Sequence, residues 1–136
     1  MTYLPDTLPF PAPLPDAAPF WAHCRERALR FQACAACGRL RHPPGPRCPD
    51  CHSDAIAWRD APAEGRIFSY TVAHHPADGT VRGRGPYNVI LVEFPALPGV
   101  RLVSNLIDAD PAVGMAVTLV WEDGSQEQPL PRFRRA

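Results

Sequence analysis

Along the second half of the chain, apolar side chains fall at every other position. Residues 66–74 (RIFSYTVAH), 87–94 (YNVILVEF), 100–107 (VRLVSNLI) and 115–121 (MAVTLVW) share this period of two, which marks half-buried strands. Residues 130–134 (LPRFR) add a short fifth candidate. Turn-forming stretches at 95–99, 108–114 and 123–125 separate most of these runs, and residues 60–65 (DAPAEG) form a joint ahead of them. Five short strands with no long helix between them predict a small closed barrel. The OB fold is the five-stranded form, and an SH3-like barrel is the alternative.

Upstream the period changes. In residues 20–32 (FWAHCRERALRFQ), Trp21, Cys24, Ala28 and Phe31 step by three and four, which predicts a helix with one packed face. Cys24 lies in that stripe and reads as a small buried apolar residue. His23 beside it and Glu26 opposite read as solvated. Residues 1–19 are interrupted by prolines at 5, 9, 11, 13, 15 and 19, which exclude regular helix or strand. With Leu4, Leu8, Phe10 and Leu14 spaced between them, the segment reads as an extended arm, either disordered or laid along a surface such as a partner subunit.

Between helix and strands lies the pattern richest in chemistry. Cys34-x₂-Cys37 and Cys48-x₂-Cys51 are separated by ten residues. Two such pairs close together bring four thiolates to one tetrahedral ion. Each pair has residues suited to the sharp turn this requires: Ala35-Ala36 within the first and Gly38 after it, Pro49 within the second. The leading reading is a rubredoxin-like zinc ribbon over residues 34–58 with a structural zinc on Cys34, Cys37, Cys48 and Cys51. The same thiolates would hold iron in an electron carrier, and a disulfide pairing is the other alternative. The expected organisation is mainly β: arm 1–19, helix 20–33, ribbon 34–58, barrel 59–136.

Composition narrows the functional classes. The 136 residues are 46% hydrophobic and 21% charged, with a net charge of zero, the profile of one ordinary domain or two very small ones. There is no global basic field of the kind that drives nucleic-acid binding. All 14 basic residues are arginine, a bias that GC-rich coding explains together with the 18 prolines. No apolar run is long enough to span a bilayer and no leader-like pattern opens the chain, so the expected location is cytoplasmic, which suits reduced thiolates. GxSxG, P-loop and HExxH motifs are absent. A zinc with four cysteine ligands has no open position for substrate. The residues alone therefore point to a binding or scaffolding module.

One loop invites a ligand. Residues 74–86 (HHPADGTVRGRGP) join the first two barrel strands and carry Arg82 and Arg84 among glycines. Such a loop suits phosphate contact. The adjacent His74 and His75 point apart on a strand end and do not suit a shared metal.

The order of these features resembles a family of acyl-CoA-associated zinc-ribbon/OB-fold proteins, a domain of unknown function found beside thiolases and thiolase-like enzymes. The resemblance rests on Phe20-Trp21, on CAACGRLRHPPGPRCPDC, on the strand from Gly65 to Val72, on PYNVILVEFP, on Val113-Gly114-Met115-Ala116-Val117 and on the terminal LPRFR. It covers residues 20–134, whereas the long arm and the segment 78–85 depart from it. It implies a non-catalytic accessory subunit in a hetero-oligomer with a thiolase-fold acyl-CoA enzyme. That partner would be a thiolase, an acyltransferase or a side-chain-cleaving aldolase. A coenzyme A thioester would be shared with the partner, and Arg82, Arg84, Arg39 and Arg41 are the candidate contacts for its phosphates. The competing class is a single-stranded nucleic-acid binder, with Phe68, Tyr70 and Tyr87 as stacking platforms beside Arg82 and Arg84. The zero net charge disfavours it.

Overall fold

The computed structural model describes residues 2–124 and 127–136. A short helix α1 (Ala18–Arg25) opens the regular structure, with Pro19 in its first turn, where a missing N–H costs nothing. The helix ends well before the apolar stripe does, and the expected helix over 20–33 is corrected accordingly. Arg27 adopts φ 55°, and the amides of Arg27 and Ala28 fold back onto the carbonyls of Cys24 and His23 at 2.9 and 3.0 Å. This closure usually employs glycine. With arginine in that place, the stop signal was invisible in the sequence. Phe31 is fully buried, but from a strand instead of the helix.

That strand, β1 (Arg30–Cys34), is the centre of a three-stranded sheet with β2 (Leu40–Arg41) and β3 (Ile56–Asp60), in the order β2-β1-β3. Both pairings are antiparallel. The two cysteine pairs sit at one end of this sheet, in the turn after β1 and in the long connection to β3.

A second sheet holds five strands: β4 (Glu64–Ala73), β5 (Tyr87–Glu93), β6 (Arg101–Ser104), β7 (Ala116–Asp123) and β8 (Pro129–Arg135), in the order β6-β5-β4-β7-β8. The turn expected at 123–125 falls partly outside the described residues. In β5, Asn88, Ile90 and Val92 are buried while their neighbours are half-buried, the alternation read from the sequence. Gly65 is required by packing, since a Cβ there would lie 2.6 Å from Val92 Cγ1. A bulge between Ile67 and Ser69 bends β4 and strengthens the twist. The curled sheet closes on itself where Leu106 and Phe133 form a parallel bridge, with Ile107 N donating to Phe133 O at 2.9 Å. This is an OB-like barrel. The Asn88 side chain pins the closure, its Oδ1 accepting from Leu106 N and its Nδ2 donating to Leu106 O, both at 2.8 Å.

Helix, ribbon and barrel share one core. Phe20 and Cys24 of α1 and Phe31 of β1 belong to the same buried cluster as Ile67, Ile90, Val92, Phe94 and Phe133 of the barrel. The Phe31 and Phe94 rings lie 5.3 Å apart, so aromatic packing joins the two sheets.

The proline-rich arm lies along the chain's own barrel. Tyr3 N donates to Glu122 Oε2 at 2.8 Å, the Tyr3 hydroxyl accepts from Asn88 N at 2.9 Å and Nδ2 at 2.7 Å, and Phe10 meets Trp21 edge-on at 4.9 Å. The extended backbone read from the prolines is present, and the surface it covers is intramolecular. Among the described residues no helix is long and apolar enough to cross a membrane.

Candidate metal centre

Each cysteine pair is built by the same backbone device. After the first, Gly38 N donates to Cys34 O and Cys34 N to Arg39 O, both at 2.8 Å. After the second, His52 N donates to Cys48 O and Cys48 N to Ser53 O, both at 2.9 Å. Gly38 takes φ 80° and His52 φ 64°, the left-handed conformation that each turn needs. The knuckles are thus equivalent, with histidine in the second playing the part glycine plays in the first. Arg39 and Asp50 form an ion pair that ties one knuckle to the other.

The four sulfurs all lie within 4.8 Å of one another. Cys34 Sγ and Cys51 Sγ are 3.5 Å apart, and Cys37 Sγ and Cys48 Sγ 3.6 Å apart. Disulfide bonding is excluded at these separations. A tetrahedron built on metal–sulfur bonds of about 2.3 Å has edges of about 3.8 Å, close to what the thiols present. Cys34 and Cys48 are buried while Cys37 and Cys51 are exposed, so the site forms at the surface with one inner sulfur per knuckle.

Electrostatics agree with an anion-stabilising cage. The Cys37 amide, aided by that of Ala36, holds the Cys34 thiol down to about 6 in spite of desolvation. The amides of Cys51 and Asp50 lower Cys48 in the same way. At Cys37 the Arg39 amide acts downward, but the neighbouring Cys48 sulfur and desolvation outweigh it and push the thiol up to about 12. Cys51 is likewise raised: the Ser53 amide lowers it, and its Cys34 neighbour and desolvation prevail. Four negative sulfurs this close repel one another, and a divalent cation removes that conflict. The fifth cysteine does not take part. Cys24 is fully buried in the core, and desolvation raises its thiol to about 12, which leaves it unreactive as read from the helical stripe.

The four arginines are not brought together. Arg41 is buried beneath the ribbon, its Nε donating to Gln32 Oε1 at 2.6 Å and its Nη2 to Gly45 O at 3.2 Å. Arg39 is held by Asp50. Arg84 secures the arm, with Nε on Tyr3 O at 2.7 Å and its guanidinium 4.3 Å from the Tyr3 ring centroid. Arg82 ends the single helical turn α2 (Gly79–Arg82) in the loop between β4 and β5, and is exposed. His74 and His75 are exposed as well and join no metal-ligating cluster among the described residues.

A cleft whose lining residues the sequence did not reveal runs between ribbon, α1 and barrel. It encloses about 630 Å³ and is lined by Phe20, Trp21, His42, Leu91, Arg101 and Arg132, among others. The His42 ring packs against Phe20 and Phe31 at 4.8 and 5.2 Å, and burial pushes it down to about 4, so it enters the cleft uncharged at neutral pH. Arg132 is paired with Glu122 at 3.4 Å. Arg101 and Arg132 carry no local motif, and only the closure of β6 towards β8 brings them to one cavity.

Comparison with known proteins agrees with this architecture. Residues 21–57 match the model of the ChsH2 rubredoxin-like zinc ribbon domain and residues 58–122 that of the ChsH2 C-terminal OB-fold domain. The solved structure described as the Ltp2-ChsH2(DUF35) aldolase includes a chain 42% identical to this one. The match has a TM-score of 0.82 and covers 93% of this chain and 98% of that chain. A DUF35 protein of unknown function from Sulfolobus solfataricus shares the fold at 19% identity, with a TM-score of 0.63 over 90% of this chain and 86% of that one. Among curated proteins, a probable enoyl-CoA hydratase alpha subunit of Thermomonospora curvata is 43% identical over 94% of this chain. The 3-oxo-4,17-pregnadiene-20-carboxyl-CoA hydratase alpha subunit of Mycobacterium tuberculosis is 37% identical over 88%. The matches span only 40% and 38% of the length of those two relatives. With a ribbon, a barrel and a near-complete structural match to the DUF35 component of a solved complex, the chain belongs to the ChsH2 (DUF35) family of zinc-ribbon/OB-fold proteins.

Proposed function

We propose that the protein is a non-catalytic accessory subunit of a thiolase-fold acyl-CoA enzyme, and that its four cysteines hold a structural zinc. The observation that carries this reading is the match over nearly the whole chain to the DUF35 component of the Ltp2-ChsH2 aldolase. The metal geometry supports it: four thiolates complete a tetrahedron around zinc and leave no position for water or substrate. The zinc would fasten the knuckles, while reaction chemistry belongs to the partner. Retention of reduced thiolates fits a cytoplasmic location.

Contact with a coenzyme A thioester is part of the proposal. The cleft between ribbon and barrel has the size of a small-molecule site, and its apolar lining with Arg101 beside it suits an acyl chain attached to an anionic carrier. Of the arginines singled out in the sequence, Arg82 has the weakest tie among the described residues, a single bond to the neutral Ala77 O at 3.2 Å. Arg39, Arg41 and Arg84 would have to exchange their present partners for phosphate.

The test is co-purification with the Ltp2 component of the related aldolase, followed by metal analysis and assay of aldolase activity with and without this chain. One zinc per chain, a stable complex and activity dependent on the chain are expected. Activity unaffected by its removal overturns the accessory role. For the coenzyme, Ala replacements of Arg82, Arg84, Arg39, Arg41 and Arg101 are compared by acyl-CoA affinity of the complex. Unchanged affinity in all five removes the coenzyme contact and leaves the scaffold role standing.

A further inference from the structure

β4 is longer than the barrel requires. Its pairing with β7 ends at Arg66, whereas its pairing with β5 continues to Ala73. From Phe68 to Ala73 one edge of β4 carries β5, and the other carries no strand among the described residues. Phe68 to Val72 are all exposed, so this part of the strand is open on its faces as well as its edge. Its large apolar side chains are accessible to 41% at Phe68, 43% at Tyr70 and 38% at Val72.

Three physical facts make that edge unusual. An open strand edge presents unpaired N–H and C=O groups that template pairing with another chain, and natural edges are blunted by charge, proline or brevity. The run Phe68-Ser-Tyr-Thr-Val-Ala73 has no charge and no proline. Phe68, Tyr70, Thr71 and Val72 within it are aromatic or β-branched, the types that favour strands. Moreover, beyond Tyr70 the pair of β4 and β5 has no third strand on either edge among the described residues, and a ribbon of two strands without further cover is marginal in water.

The geometry points to strand addition: an extended segment of the partner subunit pairs with the free edge of β4 along Phe68–Ala73 and sets alternate apolar side chains against Tyr70 and Val72. This rests on the accessory-subunit reading and names where the partner engages. Another strand is the one element that meets a row of backbone groups at strand spacing. A second copy of this chain fits less well. In antiparallel self-pairing its own 74–86 loop would be driven towards the start of β7, which already occupies the edge of β4 beside Arg66. A bare extended segment has no such obstruction. Reaching across β5 from β6, the Arg101 guanidinium stacks 3.7 Å from the ring centroid of Phe68 in the bulge and holds that aromatic where the open stretch begins.

Amide hydrogen exchange of this chain, alone and mixed with the Ltp2 component of the aldolase, tests the proposal. The amides in 68–73 that point away from β5 are expected to slow by about tenfold or more on association. The double variant Tyr70→Lys, Val72→Lys is expected to weaken association by about tenfold, because lysine blunts an edge, with the melting temperature of the isolated chain unchanged. Association without protection at 68–73 overturns strand addition and leaves the accessory role intact. Protection that grows with concentration of this chain alone assigns the edge to a second copy and overturns it also. Failure to associate at all removes the accessory reading and strand addition together.

Discussion

At the residue scale, equivalent backbone positions are filled by unlike side chains. Gly38 and His52 occupy the same place in their knuckles, at φ 80° and 64°. A residue other than glycine in the left-handed region costs about 1–2 kcal/mol. Gly38→Ala is therefore expected to lower the stability of the metal-loaded protein by about 1 kcal/mol, whereas His52→Gly should be neutral or slightly stabilising. Chemical denaturation of both variants at equal metal loading reads the contrast, and a loss of stability in His52→Gly would show that the imidazole has a bonding role. The glycine was legible in the sequence because glycine signals such a turn. The histidine was not, nor was Arg27, since ordinary residues take this conformation when hydrogen bonds on both sides compel it.

At the element scale, the strands were visible and their limits were not. Alternation marks a strand where one of its faces meets the core, as along β5 and β8. It could not show that β4 extends past its neighbour β7, for a strand looks the same whether its edge is paired or free. The closure was equally hidden. Asn88 reads as a polar interruption within an apolar strand, yet it is only 8% exposed and bonds Leu106 through both ends of its amide. Asn88→Ala would strip the Leu106 N–H and C=O of their partners and remove one of the two hydrogen bonds that Asn88 gives the Tyr3 hydroxyl, the backbone amide keeping the other. Since an unsatisfied buried group costs about 1–3 kcal/mol, a loss of about 3 kcal/mol is expected in urea unfolding. A change below about 0.5 kcal/mol would mean that water replaces the amide without penalty. The arm belongs to this scale too: prolines dictated its extended backbone, while the surface it covers depended on Tyr3 finding Asn88 and Glu122.

Across the whole molecule, one core makes the metal centre a global support. A separate ribbon would unfold alone on chelation. Here Phe31 packs on Phe20 and Phe94, so loss of β1 withdraws a fully buried aromatic from the barrel, a change that costs about 3–5 kcal/mol when made by truncation. Removing the metal with a strong chelator at neutral pH is expected to unfold residues 31–57 and to raise amide exchange in β5 as well. Unfolding confined to the ribbon, with β5 protection intact, would show that the sheets are energetically independent. What the sequence determined by itself was local and periodic: the clustering of four cysteines, the strand faces, the proline-stiffened arm and the buried character of Cys24. These follow from spacing along the chain, which covalent geometry converts directly into direction. Only the tertiary structure decided where the helix stops, which arginines are already engaged, which residues line the cleft between ribbon and barrel, and that β4 past Ile67 pairs with no strand on one edge among the described residues. Those features depend on residues far apart in sequence meeting in a shared core, and no local pattern records such a meeting.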